Sequence, residues 1–526
     1  MAEGARRKLA KEEERGPQGM RRVLMRKQLL ALACVTGLAG IIQFAGCGPR
    51  IFNSGPGSGF SGAPPTPLVV SGGDAPLCSI LSFTVTITGM TLTAQTGQFG
   101  GGGAVSVLPA GNSVTLDFAS LLDFTTVLSL SSLPAGTYSQ LNVTLANPSI
   151  NYLDTSKTPP VVATLTPTLS ALTVPVTLNT PLTVSGSGIA GLTVDFNLLQ
   201  SVLIDPKTGQ LTGKVNPTFS ASGLTSPGAS GFAEFDDLRG IVQSITTTST
   251  NTAYTGSFTL EPATGPALPV MVNSSTQFDG ISGLGTLTKG TFVEVNALAD
   301  ANGNILANAI QVEEQEDAST GEAAFAGLIT SVTYSSGQAT KFNLFVGEEN
   351  PDVSGQVPLR SILPVSITAS TRFVTSALGA ANFTSLVFGA TTLGAGQRVV
   401  VHGQLNSGAA PTTATARSIF LGVQPVLGNV SSSAPVIYIG ADGKAGGFYL
   451  APCSPLFQPQ PIAILTADST TFVGITSLLD INSTTPFLVT KGLVLYDQAG
   501  GSWNGLVWRP PASVQAAGQV HQLPSP

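Results

Sequence analysis

Histidine, cysteine and paired carboxylates build most catalytic and metal sites, and this 526-residue chain has only two histidines, His402 and His521, and four cysteines. His402 lies in the apolar strand VVVHGQL, where a ring turned to solvent or to a neighbouring carbonyl is the ordinary outcome; His521 lies in a Pro-rich tail. A Ser-His-Asp triad needs a placed histidine beside a nucleophile, and no G-x-S-x-G elbow accompanies either one. Zinc is no better served, because there is no C-x-x-C pair and no clustered histidine. Carboxylates are more plentiful: Glu313, Glu314, Glu316 and Asp317 form one run, and Glu348, Glu349 and Asp352 a second. Nothing in their spacing sets two of them the roughly 5–10 Å apart that glycoside hydrolysis uses, and such runs read as solvated linkers. Asp300-Ala301-Asn302-Gly303-Asn304 offers the oxygen ligands that calcium prefers, without the full loop spacing or a closing Glu. Asn-Gly between strands is equally a hairpin-turn signal. Gly100 to Gly103 is followed by no Gly-Lys-Ser/Thr, so it is a loop and not a phosphate cradle. The expectation is a protein without catalytic residues or a resident cofactor, structural calcium being the one metal reading left open.

Cys47 carries the most specific chemistry. Basic residues in MRRVLMRK, from Met20, precede an uncharged run from Gln28 to Gly46, the order of a secretory signal. The segment Phe44-Ala45-Gly46-Cys47 resembles the bacterial lipobox, in which the cysteine is lipidated and becomes the new N-terminus; Phe44 stands where Leu is usual. Cys34 is a rival, but it lies too close to Lys27 to leave an apolar core. At 19 residues the run is also long enough to span a bilayer as a retained helix. Residues 20–46 are therefore read as a lipoprotein signal peptide, and 47–68, with NSGPGSGFSGAPPTP, as a flexible tether. Asp is absent after the cysteine, which implies outer-membrane or surface placement over the inner membrane. Residues 1–19 do not belong to a signal peptide and read as an extension upstream of a start at Met20 or Met25.

The elements that carry these residues follow from composition. Sixty Gly, 36 Pro and only 10% charged residues, with abundant Val and Thr, favour short strands joined by turns over helices. The chain is too long for one core. Residues 1–27 hold nine of the 23 basic residues, so cleavage before Cys47 leaves 14 basic against 25 acidic residues, a net −11. That balance repels phosphate and excludes nucleic acid as a partner.

From Leu81 to Thr93 the residues alternate with the period of two of a half-buried strand. Similar strands are expected at 113–118, 140–145, 161–165 and 172–178, the spacing of a sandwich or barrel. Gly73-Asp74-Ala75-Pro76-Leu77, Leu133-Pro134-Ala135-Gly136-Thr137-Tyr138 and Leu192-Thr193-Val194-Asp195-Phe196 resemble the landmarks of domain-of-unknown-function family 4382, which occurs in exported bacterial proteins, usually lipoproteins, and has no assigned activity. In the second motif Gly136 serves a turn and Tyr138 is expected at the sandwich edge.

Beyond residue 233 a repeat is legible. Ser275-Thr276-Gln277-Phe278, Ser370-Thr371-Arg372-Phe373 and Ser469-Thr470-Thr471-Phe472 recur at spacings of 95 and 99, each after a short apolar strand. Each is followed by a glycine-led strand, from Gly290, Gly396 and Gly492. Opening strands recur at Gly240 to Ile245 and Gly327 to Val332, with a weaker version near Leu427 to Val430. Repeats are copies of one structural unit. The first two resemble domain-of-unknown-function family 5666, which implies a small barrel similar to an OB-fold; the third departs from the pattern. The expected architecture is all-β, a sandwich at 69–222, barrel repeats at 233–318 and 319–424, and a degenerate repeat at 425–526.

OB-like barrels often bind oligonucleotides or oligosaccharides, and exposed aromatics are what sugars stack on, so Trp503, Trp508 and Tyr496 are the candidate ligand contacts; the competing reading is that they fill a core. Cys78 and Cys453 could pair in an oxidising compartment or remain two buried thiols in different domains. The functional expectation is a non-enzymatic, lipid-anchored envelope module for binding, adhesion or structure. Its partners are the membrane, through the lipid, and an envelope polysaccharide or protein. A carbohydrate-binding or carbohydrate-active accessory protein is the alternative.

Overall fold

The computed structural model describes residues 66–506 and 519–522, apart from short internal stretches, of which 96–102, 225–233, 315–322, 350–355 and 376–386 exceed five residues. Strand outweighs helix by 64% to 4%, so the fold is all-β. The signal run and Cys47 lie outside the described residues.

The first body is a ten-stranded arrangement in two halves. One half runs Ala104–Ser106, Ile80–Ala94, Gly136–Asp154, Thr173–Val184; the other runs Phe219–Leu224, Ala190–Asn197, Thr66–Ala75, Thr126–Leu133. A single pairing, Ala221 with Leu178, joins them. Between the halves Phe118 stacks on Phe196 at 4.5 Å, Phe83 stacks on Phe196 at 5.3 Å, and Phe219 meets Phe196 edge-on. Offset and edge-on aromatic pairs of this kind add to the burial that drives the two sheets together. Strand 66–75 runs parallel to 190–197, a long-range pairing that alternation cannot reveal. Tyr138 is not at an edge: it is fully buried, and its hydroxyl donates to Pro134 O at 3.0 Å. Burial pushes that phenol up to about 12. The Pro-Ala-Gly-Thr-Tyr motif is thus a corner tied by its own tyrosine.

The next two bodies share one topology. In barrel 1 the five strands are Glu234–Thr246, Gly256–Glu261, Leu268–Val272, Phe292–Ala299 and Ile305–Glu314. The first pairs with the second and fourth, and the parallel contact of third and fifth closes the ring. Barrel 2 repeats this with Ala323–Ser335, Gln338–Glu349, Ile362–Ser366, Arg398–Asn406 and Thr413–Leu421. The order 1-2-3-5-4-1 is that of an OB-like barrel.

The third repeat closes in the same way. Its strands are Gln424–Val430, Gly446–Pro452, Ile462–Thr466, Leu488–Asp497 and Ser502–Leu506, with third and fifth parallel and the first paired to the fourth. What differs is the fifth strand, which is split. Its first piece, 502–506, lies on the third strand; a second piece, Gln519–Gln522, takes the pairing with the short strand Thr471–Val473. His521, read from sequence as part of a tail, therefore has its backbone in a sheet, opposite Val473 and Val489. The equivalence of Gly492 with Gly290 and Gly396 also needs correction. Leu488 opposite Gly428 holds the register that Val293 and Val399 hold opposite Gly240 and Gly327, so Gly492 lies four residues along the fourth strand.

The recurrent glycine and Ser-Thr motifs have structural causes. A Cβ on Gly240, Gly327 or Gly428 would stand 2.4, 2.1 or 2.3 Å from a backbone oxygen of the second strand, Glu261, Phe345 or Ala451. The first strand of each barrel bends across its neighbour at this point, and only glycine allows the approach. Gly327→Ala should destabilise the protein by about 3 kcal/mol, at the upper end of overpacking costs, and urea denaturation reads it directly. Thr276 Oγ1 donates to Ala307 O at 2.7 Å and accepts from Asn273 N, while Thr371 Oγ1 does the same with Ala416 O and Thr368 N. The motif clamps the turn after the third strand to the fifth.

Candidate functional site

The aromatic edge of barrel 3 is the place where sequence put ligand contacts. Tyr496 closes the fourth strand opposite Trp503 of the fifth, and Trp503 in turn sits beside Ile462 of the third. Tyr496 is half-buried and packed against the barrel core, and its N–H donates to Thr392 O of barrel 2 at 3.2 Å. Its ring also approaches Tyr334 of barrel 2, whose hydroxyl donates to Leu393 O at 2.7 Å. Burial, then the neighbouring Tyr496, pushes the Tyr334 phenol up to about 12. The described part of this edge therefore belongs to a joint between barrels. The Trp503 side chain and the whole of Trp508 lie outside the described residues.

Charged groups also gather at joints. Asp117 ends the strand Val114–Asp117 of the sandwich; its carboxylate accepts from Ser82 Oγ at 2.6 Å and Phe83 N at 2.9 Å and pairs with Arg360 of barrel 2 at 3.1 Å. Arg239 of barrel 1 pairs with Glu294 at 2.8 Å and also donates to Val423 O, on the approach to barrel 3. In barrel 2 Arg398 pairs with Glu348 at 3.0 Å. Pairs this deeply buried cost several kcal/mol to break from one side only, because the remaining charge is stranded. Glu348 and Glu349 are thus not a solvated loop: they end the strand 338–349, half-buried. Glu349 Oε2 is buried with no hydrogen-bond partner, and burial pushes its carboxyl up to about 7. Asp352 and the side chains of the run 313–317 lie outside the described residues.

His402 departs furthest from expectation. It faces neither solvent nor a carbonyl: it is fully buried, neither ring nitrogen has a partner, and its backbone lies opposite Ala324 and Ser418. Desolvation, then the Arg417 charge, holds its pKa down to about 4. Its neighbours along and across the strand, Val400 and Ala324, pack with Ala326 and Phe420 against Ile241 and Phe292 of barrel 1. This is a neutral histidine beside an apolar barrel–barrel joint.

At Asp300 the hairpin reading describes the geometry. Asn304 N donates to Oδ1 at 2.9 Å, Asn304 Nδ2 and the Tyr254 hydroxyl reach Oδ2, and Gly303 N donates to Asp300 O. Among the described residues no three His, Cys, Asp or Glu side chains come together to hold a metal ion.

The joint that binds the ends of the body is covalent. Cys78, just before the sandwich strand 80–94, forms a disulfide with Cys453, just after the second strand of barrel 3. Sequence left this pairing open because 375 residues separate the two. Barrels 2 and 3 are further locked by Leu493 and Leu495, which enter the barrel 2 core, and by Gln397, whose Nε2 donates to Val494 O at 2.7 Å. Val127 of the sandwich packs in the barrel 1 core. The clue that sequence did offer was a lone acid, Asp117, in an apolar strand; its partner 243 residues away was not visible.

No curated protein matches the chain. Among solved structures, Drosophila Unr CSD456 matches with 12% identity over 51% of this chain and 94% of its own, at a TM-score of 0.13, too low to carry an argument. Two family models match, one within the sandwich and one within barrel 1. The chain carries, in this order, a domain of unknown function DUF4382 over residues 67–213 and a domain of unknown function DUF5666 over residues 239–311.

Proposed function

We propose that this protein is an exported lipoprotein whose sandwich and three barrels act as one non-catalytic module at the cell envelope, on the outer-membrane or surface side, engaging an envelope polysaccharide or protein. The observation that carries the reading is the Cys78–Cys453 disulfide. Disulfides persist in exported proteins and are rare in the reducing cytosol, so a bridge between distant domains agrees with the export signal ending at Cys47. The absence of enzymatic chemistry in the proposal is supported by what the buried polar groups do: Asp117 and Arg360 join the sandwich to barrel 2, and Glu294 with Arg239 and Glu348 with Arg398 are ion pairs within single barrels.

The test is the anchor. Cys47→Ala should abolish incorporation of labelled palmitate and move the protein from the membrane fraction to the soluble fraction at least about tenfold, since no acyl chain remains to bury. A Cys47→Ala protein that stays membrane-bound would point instead to the apolar run 28–46 as a retained span. A glycan array probed with the lipid-free protein then separates a polysaccharide partner from a protein one.

A further inference from the structure

Five of the eight large hydrophobic side chains that stand exposed among the described residues lie between Val161 and Ile204 of the sandwich. Four of them converge on one corner. There a short three-stranded sheet, Val202–Ile204, Leu211–Val215 and Thr168–Leu169, stands apart from the main sheets. Its centre is a knot of hydrogen bonds: Ser170 N donates to Val215 O, Ser170 Oγ to Asn216 Oδ1, Asn216 N to Ser201 O, and Thr218 N to Ser201 Oγ. Leu199 and Leu203 flank Ser201 by two residues on either side, and Leu172 follows Ser170 by two. Their exposures are 47%, 42% and 63%, and that of Ile204 is 40%. Their neighbours Leu198, Val202 and Val215 face the core, so the exposed set is an outward surface and not a frayed interior.

Charge distinguishes this corner from the rest of the sandwich. Between Thr66 and Leu224 the chain has only three basic residues, Lys157, Lys207 and Lys214. Lys214 is exposed on the middle strand of the small sheet, and the described acid nearest the patch, Asp205, is half-buried. An apolar patch with an exposed lysine beside it suits an anionic lipid surface, where leucines enter the acyl boundary and the ammonium group meets phosphate. On a body carrying net −11, such a corner also sets orientation, because the remaining surface is repelled.

The anchor reaches it. Nineteen residues from Cys47 to Pro65 span at most about 65 Å, and the strand 66–75 adds about 30 Å between the tether and the corner, since Ala75 pairs with Asn197, one residue before Leu198. We infer that the corner formed by Leu172, Leu199, Leu203, Ile204 and Lys214 docks on the anionic phospholipid surface to which Cys47 is tethered, laying the sandwich against the bilayer. The inference rests on the lipoprotein reading of Cys47.

The test uses the lipidated protein reconstituted in vesicles of phosphatidylglycerol and phosphatidylcholine with brominated acyl chains. Leu203→Trp places a reporter in the corner, and Val387→Trp, at a still more exposed position in barrel 2, is the control. Bromine should quench the Leu203→Trp signal at least about twofold more than the control, and Lys214→Glu should remove most of the excess in phosphatidylglycerol but not in pure phosphatidylcholine. An acylated Cys47 with equal quenching at the two positions overturns the docking surface alone. A protein whose Cys47 carries no acyl group by mass spectrometry overturns the anchor and the docking together.

Discussion

Cys453→Ser, or reduction of the wild-type protein, should lower the thermal midpoint by about 6 °C. The bridge to Cys78 closes a separation of 375 residues. In the chain-entropy treatment a loop of that size removes about 6 kcal/mol of disorder from the unfolded chain. For a body of this length the unfolding entropy is about 1 kcal/mol per degree, which gives the shift. Calorimetry with and without dithiothreitol measures it, and Cys78→Ser should give the same value with no further loss on reduction. A second consequence follows from where the bridge lies. The non-covalent joints run from sandwich to barrels 1 and 2 and from barrel 2 to barrel 3; the disulfide ties barrel 3 back to the sandwich. Without it barrel 3 keeps its contacts with barrel 2, so limited proteolysis should release fragments from the C-terminal end first. An unchanged midpoint in both serine variants would show that the bridge does not form.

The second large effect is a pH dependence with two opposing parts. His402 is held down to about 4, below its ordinary 6.5. Between these values the unfolded chain takes up a proton that the folded one refuses, so this group's contribution is present above pH 6.5 and lost as pH falls through 4. The size is about 3 kcal/mol at 1.36 kcal/mol per unit. Glu349 has the opposite sign: pushed up to about 7 from 4.5, it stabilises below pH 4.5, and that stability is lost as pH rises through 7. The two slopes largely cancel in the wild type and separate in the variants. His402→Leu fills the same space with no unpartnered nitrogen, so its stability should no longer fall in acid and should decline from pH 4.5 to 7. Glu349→Gln should show the reverse, losing stability on acidification from 6.5 to 4. Urea midpoints at half-unit steps resolve both, and parallel profiles for the two variants would sink the assignment.

Much of the fold was legible because its signals are local. Alternation over Leu81 to Thr93 marked a strand that runs from Ile80 to Ala94. The recurring Ser-Thr-x-Phe and the opening glycines marked three copies of one unit, and the contacts of Thr276, Thr371, Gly240, Gly327 and Gly428 explain why those residues recur. The third unit looked degenerate because the pairings made by one fifth strand in the other barrels fall to two segments, 502–506 and 519–522; pairing is a matter of space, and each segment still finds its partner. Glu294 sits where alternation turns a side chain away from the barrel 1 interior, yet it is buried and paired with Arg239, on the face where Phe292 packs against barrel 2.

Sequence alone determined the period of the strands, the repeat and its bends, and the scarcity of groups that do chemistry, since each depends on the identity of residues close together along the chain. Three-dimensional packing alone brings Cys78 to Cys453 and Asp117 to Arg360, buries His402 without a partner, and leaves Leu172, Leu199 and Leu203 exposed. These relations join residues tens to hundreds of positions apart, and what brings such residues together is the packing of whole sheets, whose driving force is non-directional burial and leaves no mark at any one position.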